Sequence, residues 1–166
     1  MRILITSIIL ILILLPITTM PAAEKANELQ WYTFTRGVEL AKSQNKTVLI
    51  DFYTDWCGWC KTMEKKTYSN KNVIDILNKK YIAVKLNPEK KLSYKFKSSD
   101  VSGQQMAQLF GVSGYPATGF LDTSENIITV IPGYIPPETF LPILGYIGDK
   151  WYEKMKFDEF RKQQRK

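Results

Sequence analysis

The stretch Thr47 to Thr54 (TVLIDFYT) is a run of β-branched and aromatic residues interrupted by one acid, Asp51. Such a run reads as a strand buried on both faces, which places it inside a sheet covered by helices. After Asp55-Trp56 the chain continues Cys57-Gly58-Trp59-Cys60. A helical pattern is expected from Cys57 onward, carrying Cys60, Met63 and Tyr68. These two cysteines are the only ones in 166 residues, and the chain has no histidine. The absence of imidazole excludes Ser-His-Asp catalysis and a Cys-His nucleophile pair. Two cysteines without histidine cannot complete a four-ligand Cys or Cys/His zinc site, so no metal site is expected. Lys61 follows the second Cys, where a c-type haem attachment needs His. No cofactor is implied.

The rest of the chain organises around that junction. Leu29 to Trp31 reads as a short first strand and Thr35 to Gln44 as a helix with Val38, Leu40 and Ala41 on its apolar face. Asn72 to Lys79 is a second helical pattern, and Tyr81 to Leu86 is the next strand. Strand, helix and strand at this spacing make a βαβ unit with a parallel pair. The lysine-rich stretch Pro88 to Ser102 is long for a connection and is expected to hold a hairpin. Gln104 to Phe110 follows as a helix stopped by Gly111. Ala117 to Leu121 and Ile127 to Ile131 form a hairpin that Gly133 ends. Pro137 to Ile147 closes the domain as a helix, which Pro142 is expected to kink or shorten.

Both ends differ in character from the middle. Met1-Arg2, the apolar run Ile3 to Leu15, Pro16 and the small residues Pro21-Ala22-Ala23 have the layout of a secretory signal peptide. An uncleaved membrane anchor is the alternative, although the run is short of the roughly 20 residues of a span. Residues 1–23 therefore read as a signal, 24–148 as the folded domain and 149–166 as a basic amphipathic extension. The net charge of +7 falls to +6 without the signal. In the extension, Trp151, Tyr152, Met155, Phe157 and Phe160 supply an apolar face, which packs on the domain or meets a basic-patch partner or membrane surface. Nothing beyond charge suggests nucleic acid, and export argues against it.

Export implies a periplasmic or other compartment in which disulfides persist. A bridge across two intervening residues closes a very small loop and constrains the unfolded chain little. The pair therefore reads as chemical rather than structural. Cys57 stands at a helix start, where unpaired N–H groups favour negative charge, so it is expected to be an exposed thiolate nucleophile. Cys60, one turn later, is expected to be more buried and to resolve the mixed disulfide. Asp51 is expensive in an apolar strand unless its pKa rises, and it is placed to exchange a proton with Cys60. Trp56 and Trp59 form an apolar rim for an unfolded substrate. Pro116 is a candidate cis residue, with Tyr115 presenting a backbone edge to an extended peptide.

Taken together, Val48 to Lys61, with Asp51, Trp56, Cys57, Gly58 and Cys60, resembles the active-site strand and helix of thioredoxins. The resemblance extends over nearly all of residues 29–147. It implies an α/β thioredoxin fold with a central mixed sheet flanked by helices and, here, a C-terminal helical extension. It also implies that Asp51 is the buried acid, Lys85 the lysine near it, Pro116 the cis-proline and Gly133 the glycine after the last strand. Cys60-Lys61, Glu64-Lys65 and Thr67-Tyr68 resemble the C-terminal domain of the disulfide reductase DsbD, whereas Tyr94 to Pro116 is more similar to SoxW-type exported thioredoxins. The implied activity is reduction of disulfides in exported proteins, with electrons from a membrane thiol–disulfide donor. Trp56, Gly58, Trp59, Tyr115 and Pro116 would contact the substrate. Gly58-Trp59 replaces the Gly-Pro of thioredoxins, so the direction of exchange stays open between reductant and oxidant or isomerase. A binding or chaperone-like module with incidental cysteines is the reading from another class, and a Cu(I)-binding adaptor is a further one.

Overall fold

The computed structural model describes residues 28–164. The signal-like residues 1–23, the start of the domain and the last two residues lie outside that range. In chain order the elements are β1 (Trp31–Tyr32), α1 (Phe34–Gln44), β2 (Thr47–Phe52), α2 (Gly58–Lys66), α3 (Lys71–Lys80), β3 (Tyr81–Leu86), β4 (Ser93–Phe96), β5 (Ser99–Ser102), α4 (Gly103–Leu109), β6 (Ala117–Leu121), β7 (Ile127–Pro132), α5 (Pro137–Gly148) and α6 (Phe157–Gln163). A single 3-10 turn, Trp151–Glu153, lies between the last two helices.

The main sheet has the order β1-β3-β2-β6-β7. β2 is parallel to β3 and antiparallel to β6, so the sheet is mixed and β2 is its central strand. All six residues of β2 are buried, as its unbroken apolar run requires. The pleat divides them between two cores. Val48, Ile50 and Phe52 meet α1, α4 and the small hairpin, while Leu49 joins Met63, Val73, Leu77, Phe140 and Leu144 beneath α2, α3 and α5. Asp51 shares the parity of Leu49 and so lies on the α2 side. Gly37 lets α1 approach β3 closely, since a Cβ there would collide with the Val84 side chain.

The expected hairpin within 88–102 is present as β4 and β5, joined by Lys97 and Ser98. Both residues have positive φ, 46° and 68°, the backbone of a two-residue type I′ turn. An L-residue other than Gly, Asn or Asp is costly there, so Ser98→Gly is expected to stabilise the protein by about 1 kcal/mol. Urea unfolding midpoints would measure the gain; a lower midpoint in the variant would contradict this account of the turn.

Two details differ from the sequence reading. Helix α2 ends at Lys66, so Tyr68 lies beyond it, where the Thr67 and Tyr68 N–H groups both donate to the Met63 carbonyl. Pro142 does not shorten α5, which runs on to Gly148. The extension packs on the domain. Phe160 is buried, its ring 5.4 Å from Tyr146 and 5.8 Å from Trp151. Lys80 pairs with Asp149 at 2.6 Å where the extension begins.

Candidate active site

The central strand delivers the chain directly to the start of α2, where Cys57 occupies the N-cap position with extended backbone angles. Its sulfur accepts a hydrogen bond from the Cys60 N–H at 3.0 Å. That bond meets one of the donors a helix start leaves unpaired, and the first turn holds no acid to compete for it. Cys57 and Cys60 are joined as a disulfide, Sγ to Sγ 2.03 Å. The expected contrast in exposure is not found: Cys57 is 4% exposed and Cys60 8%. The bridge draws the two sulfurs together, and an aromatic rim stands on either side.

That rim consists of two ring pairs. Trp56 is 68% exposed and meets Tyr115 edge-on at 6.2 Å; its indole N–H donates to both Glu89 oxygens at 3.0 and 3.1 Å. Trp59, also largely exposed, lies against Tyr134 at 5.6 Å. Between the pairs, the Tyr115–Pro116 peptide is cis, and the Gly133 N–H donates to the Pro116 carbonyl at 2.8 Å. Gly133 adopts φ +82°, which suits glycine. Trp59, Tyr115, Pro116, Gly133 and Tyr134 line an open cleft of about 250 Å³. Gly58 has open space where a side chain would stand. Of the five residues expected at the rim, Trp59, Tyr115 and Pro116 line this cleft, Trp56 packs on Tyr115, and Gly58 lies between the two cysteines in the first turn of α2.

A second cavity, of about 160 Å³, is shared by Asp51, Tyr53, Thr54, Asp55, Cys60, Lys61, Glu64 and Lys85. Burial pushes the Asp51 carboxyl up to about 7, Lys85 pulls it back, and Glu64 adds to the rise. Asp51 is in register with Lys85 on one side and Thr118 on the other. The Lys85 ammonium, however, pairs with Glu64 at 2.8 Å rather than with Asp51. It also sits 5.0 Å above the Trp31 ring. Asp51 Oδ1 and the hydroxyls of Thr54, Tyr68 and Thr118 are buried without a hydrogen bond of ordinary geometry among the described residues. Each such group costs about 1–3 kcal/mol when unmet, and two of them, on Asp51 and Thr54, border the cavity that Cys60 also lines.

Cys57, Cys60, Asp51, Lys85 and the rim are legible in the sequence, whereas Glu64, Tyr68, Glu89 and Tyr134 carry no role there. Glu64 had a signal: four residues after Cys60, it lies on the same helix face. Glu89 and Tyr134 meet the rim only through the folding of distant segments. Asp55 is held below the usual carboxylate range, chiefly by its hydrogen bond from Lys90.

The chemistry available is exchange at a sulfur pair with a proton acceptor behind it. A family model described as a thioredoxin-like domain matches residues 34–148. Over 98 residues, the chain is 31% identical to the thiol:disulfide interchange protein DsbD of Pseudoalteromonas atlantica, covering 55% of this chain and 17% of that protein. An uncharacterised Caenorhabditis elegans protein is 29% identical over 124 residues, covering 72% of this chain and 16% of its own length. This chain therefore spans about one sixth of these curated relatives. In fold, it is similar to a thioredoxin-fold protein of Helicobacter pylori (TM-score 0.66, 23% identity, 86% of this chain and 89% of that one). It is also similar to a thioredoxin of Thermus thermophilus (TM-score 0.61, 21% identity, 72% and 87%). With the Cys57–Cys60 pair at the N-terminus of α2, a cis Tyr115–Pro116 peptide and the family match over residues 34–148, the chain belongs to the thioredoxin-like domain family.

Proposed function

We propose that this protein is an exported thiol–disulfide oxidoreductase that reduces disulfides in other exported proteins through Cys57 and Cys60. In the reduced protein the Cys57 thiolate attacks one sulfur of a client disulfide. A mixed disulfide forms and the client's other sulfur leaves as a thiolate, which takes a proton from solvent. Cys60 then gives its proton to the Asp51 carboxylate and attacks the Cys57 sulfur, expelling the second client thiolate. The client gains two electrons and the Cys57–Cys60 disulfide remains. With no third cysteine in the chain, that disulfide is reset by an outside dithiol, for which a membrane thiol–disulfide donor is the proposed source.

The observation that carries this reading is the cavity that Cys60 shares with Asp51. A carboxyl raised to about 7 accepts and returns a proton near neutrality. Lys85 and Glu64 adjust that carboxyl, and Trp56, Gly58, Trp59, Tyr115 and Pro116 hold the client chain. The DsbD relatives, named as thiol:disulfide interchange proteins, support the reaction class. Export rests on the signal-like residues 1–23, with 24–148 as the domain and 149–166 as its extension.

Direction is tested by titrating the Cys57–Cys60 couple against glutathione and trapping clients in cells with Cys60→Ser. A potential toward the thioredoxin end, about −270 mV, with oxidised clients trapped is the expected result. A potential near −120 mV with newly exported reduced clients would reverse the assignment to an oxidant.

A further inference from the structure

Tyr68 is a buried titratable group that the exchange chemistry above does not use. Its residue exposure is 4%, and its hydroxyl has no hydrogen-bond partner of ordinary geometry among the described residues. The ring is fixed edge-on between Trp31, at 4.9 Å, and Phe140, at 6.2 Å, so the hydroxyl has a fixed place. The Asp51 carboxyl is among the groups that neighbour it. The Asp51 carboxyl and the Thr118 hydroxyl both influence the Tyr68 hydroxyl, and Thr118 stands opposite Asp51 in the β2–β6 register. Three buried polar groups from β2, β6 and the segment after α2 thus converge, each with an unpartnered oxygen.

Burial holds the Tyr68 hydroxyl well above its ordinary range, so it remains an O–H donor at every working pH. A donor facing a carboxyl favours its ionised form. The other groups acting on Asp51 are Lys85 from β3, which also favours the carboxylate, and Glu64 from α2, which opposes it. Cys60 borders the same cavity. We infer that Tyr68 is a positioning residue for proton transfer: its hydroxyl, backed by Thr118, donates to the Asp51 carboxylate from inside and keeps it ready to take the Cys60 proton. The inference rests on the function proposed above.

The test is Tyr68→Phe, which keeps the ring between Trp31 and Phe140 and removes only the hydroxyl. Asp51 is titrated in the oxidised full chain by carbon-13 NMR of labelled aspartate, with Asp51→Asn assigning the signal. Loss of the donor is expected to raise the Asp51 midpoint by about one pH unit, the scale of a hydrogen bond to a charged group. The pH dependence of mixed-disulfide resolution should move with it. Thr118→Val, which leaves Tyr68 in place, is expected to move the midpoint the same way by less, and it serves if the first variant folds poorly. An unmoved or lowered midpoint in both variants of an active protein overturns the inference and leaves the function standing. A raised midpoint in a protein whose wild type exchanges no disulfides overturns the functional reading and with it the role assigned to Tyr68 in catalysis.

Discussion

Cys57→Ser is expected to abolish disulfide reduction, lowering insulin turnover by roughly a thousandfold or more, the scale on which removal of a nucleophile acts. Exposure does not distinguish the two cysteines in the disulfide form, since both are buried. Position does. Cys57 is the N-cap of α2 and its sulfur accepts the Cys60 N–H at 3.0 Å, so a negative charge on it is met by a donor already in place. Cys60 lies inside the first turn and opens onto the Asp51 cavity instead. Cys60→Ser should therefore still attack a client but stop at the mixed disulfide, giving a covalent complex that a reductant releases. The two variants thus fail at different steps, and a gel run without reductant separates them. A Cys57→Ser protein that keeps its cellular role would favour the binding or chaperone-like reading.

The parts of this site visible in the sequence are those carried by short segments. The strand Thr47–Phe52 announces itself by an unbroken apolar run, and Cys57 and Cys60 follow within one helical turn of its end. Asp51 stands out because a carboxylate in such a run is costly, and the central position of β2 accounts for its elevated pKa. What the sequence did not disclose are pairings made by side chains far apart in the chain. Trp59 meets Tyr134 and Trp56 meets Glu89 only once the sheet is assembled. Register sets Lys85 beside Asp51, but its ammonium pairs with Glu64 on α2. The helical pattern carries on to Tyr68, but the helix ends at Lys66 and the Tyr68 ring packs in the core with Leu49, Met63 and Phe140.

Asp51→Asn is expected to make the protein more stable and a poorer catalyst, each with its own pH dependence. In the unfolded chain this carboxyl ionises near 3.8, whereas the fold holds its proton to about 7. Between those values the native state binds more protons than the unfolded one, so stability falls as pH rises through the window. Above 7 the folded protein carries the full cost of a buried carboxylate, up to about 4 kcal/mol. Asn carries no charge, so the variant should gain most of that at pH 8 and almost nothing at pH 3. Urea unfolding at the two pH values gives the comparison; an equal gain at both would mean that charge burial is not the cause. The same substitution removes the acceptor for the Cys60 proton, and resolution of the mixed disulfide near pH 7 should slow by roughly a hundredfold. That deficit should shrink in alkaline solution, where Cys60 ionises unaided. A stabilised variant that loses activity at neutral pH and regains it in base would place the energetic cost of the buried acid and its proton-transfer role in one carboxyl group.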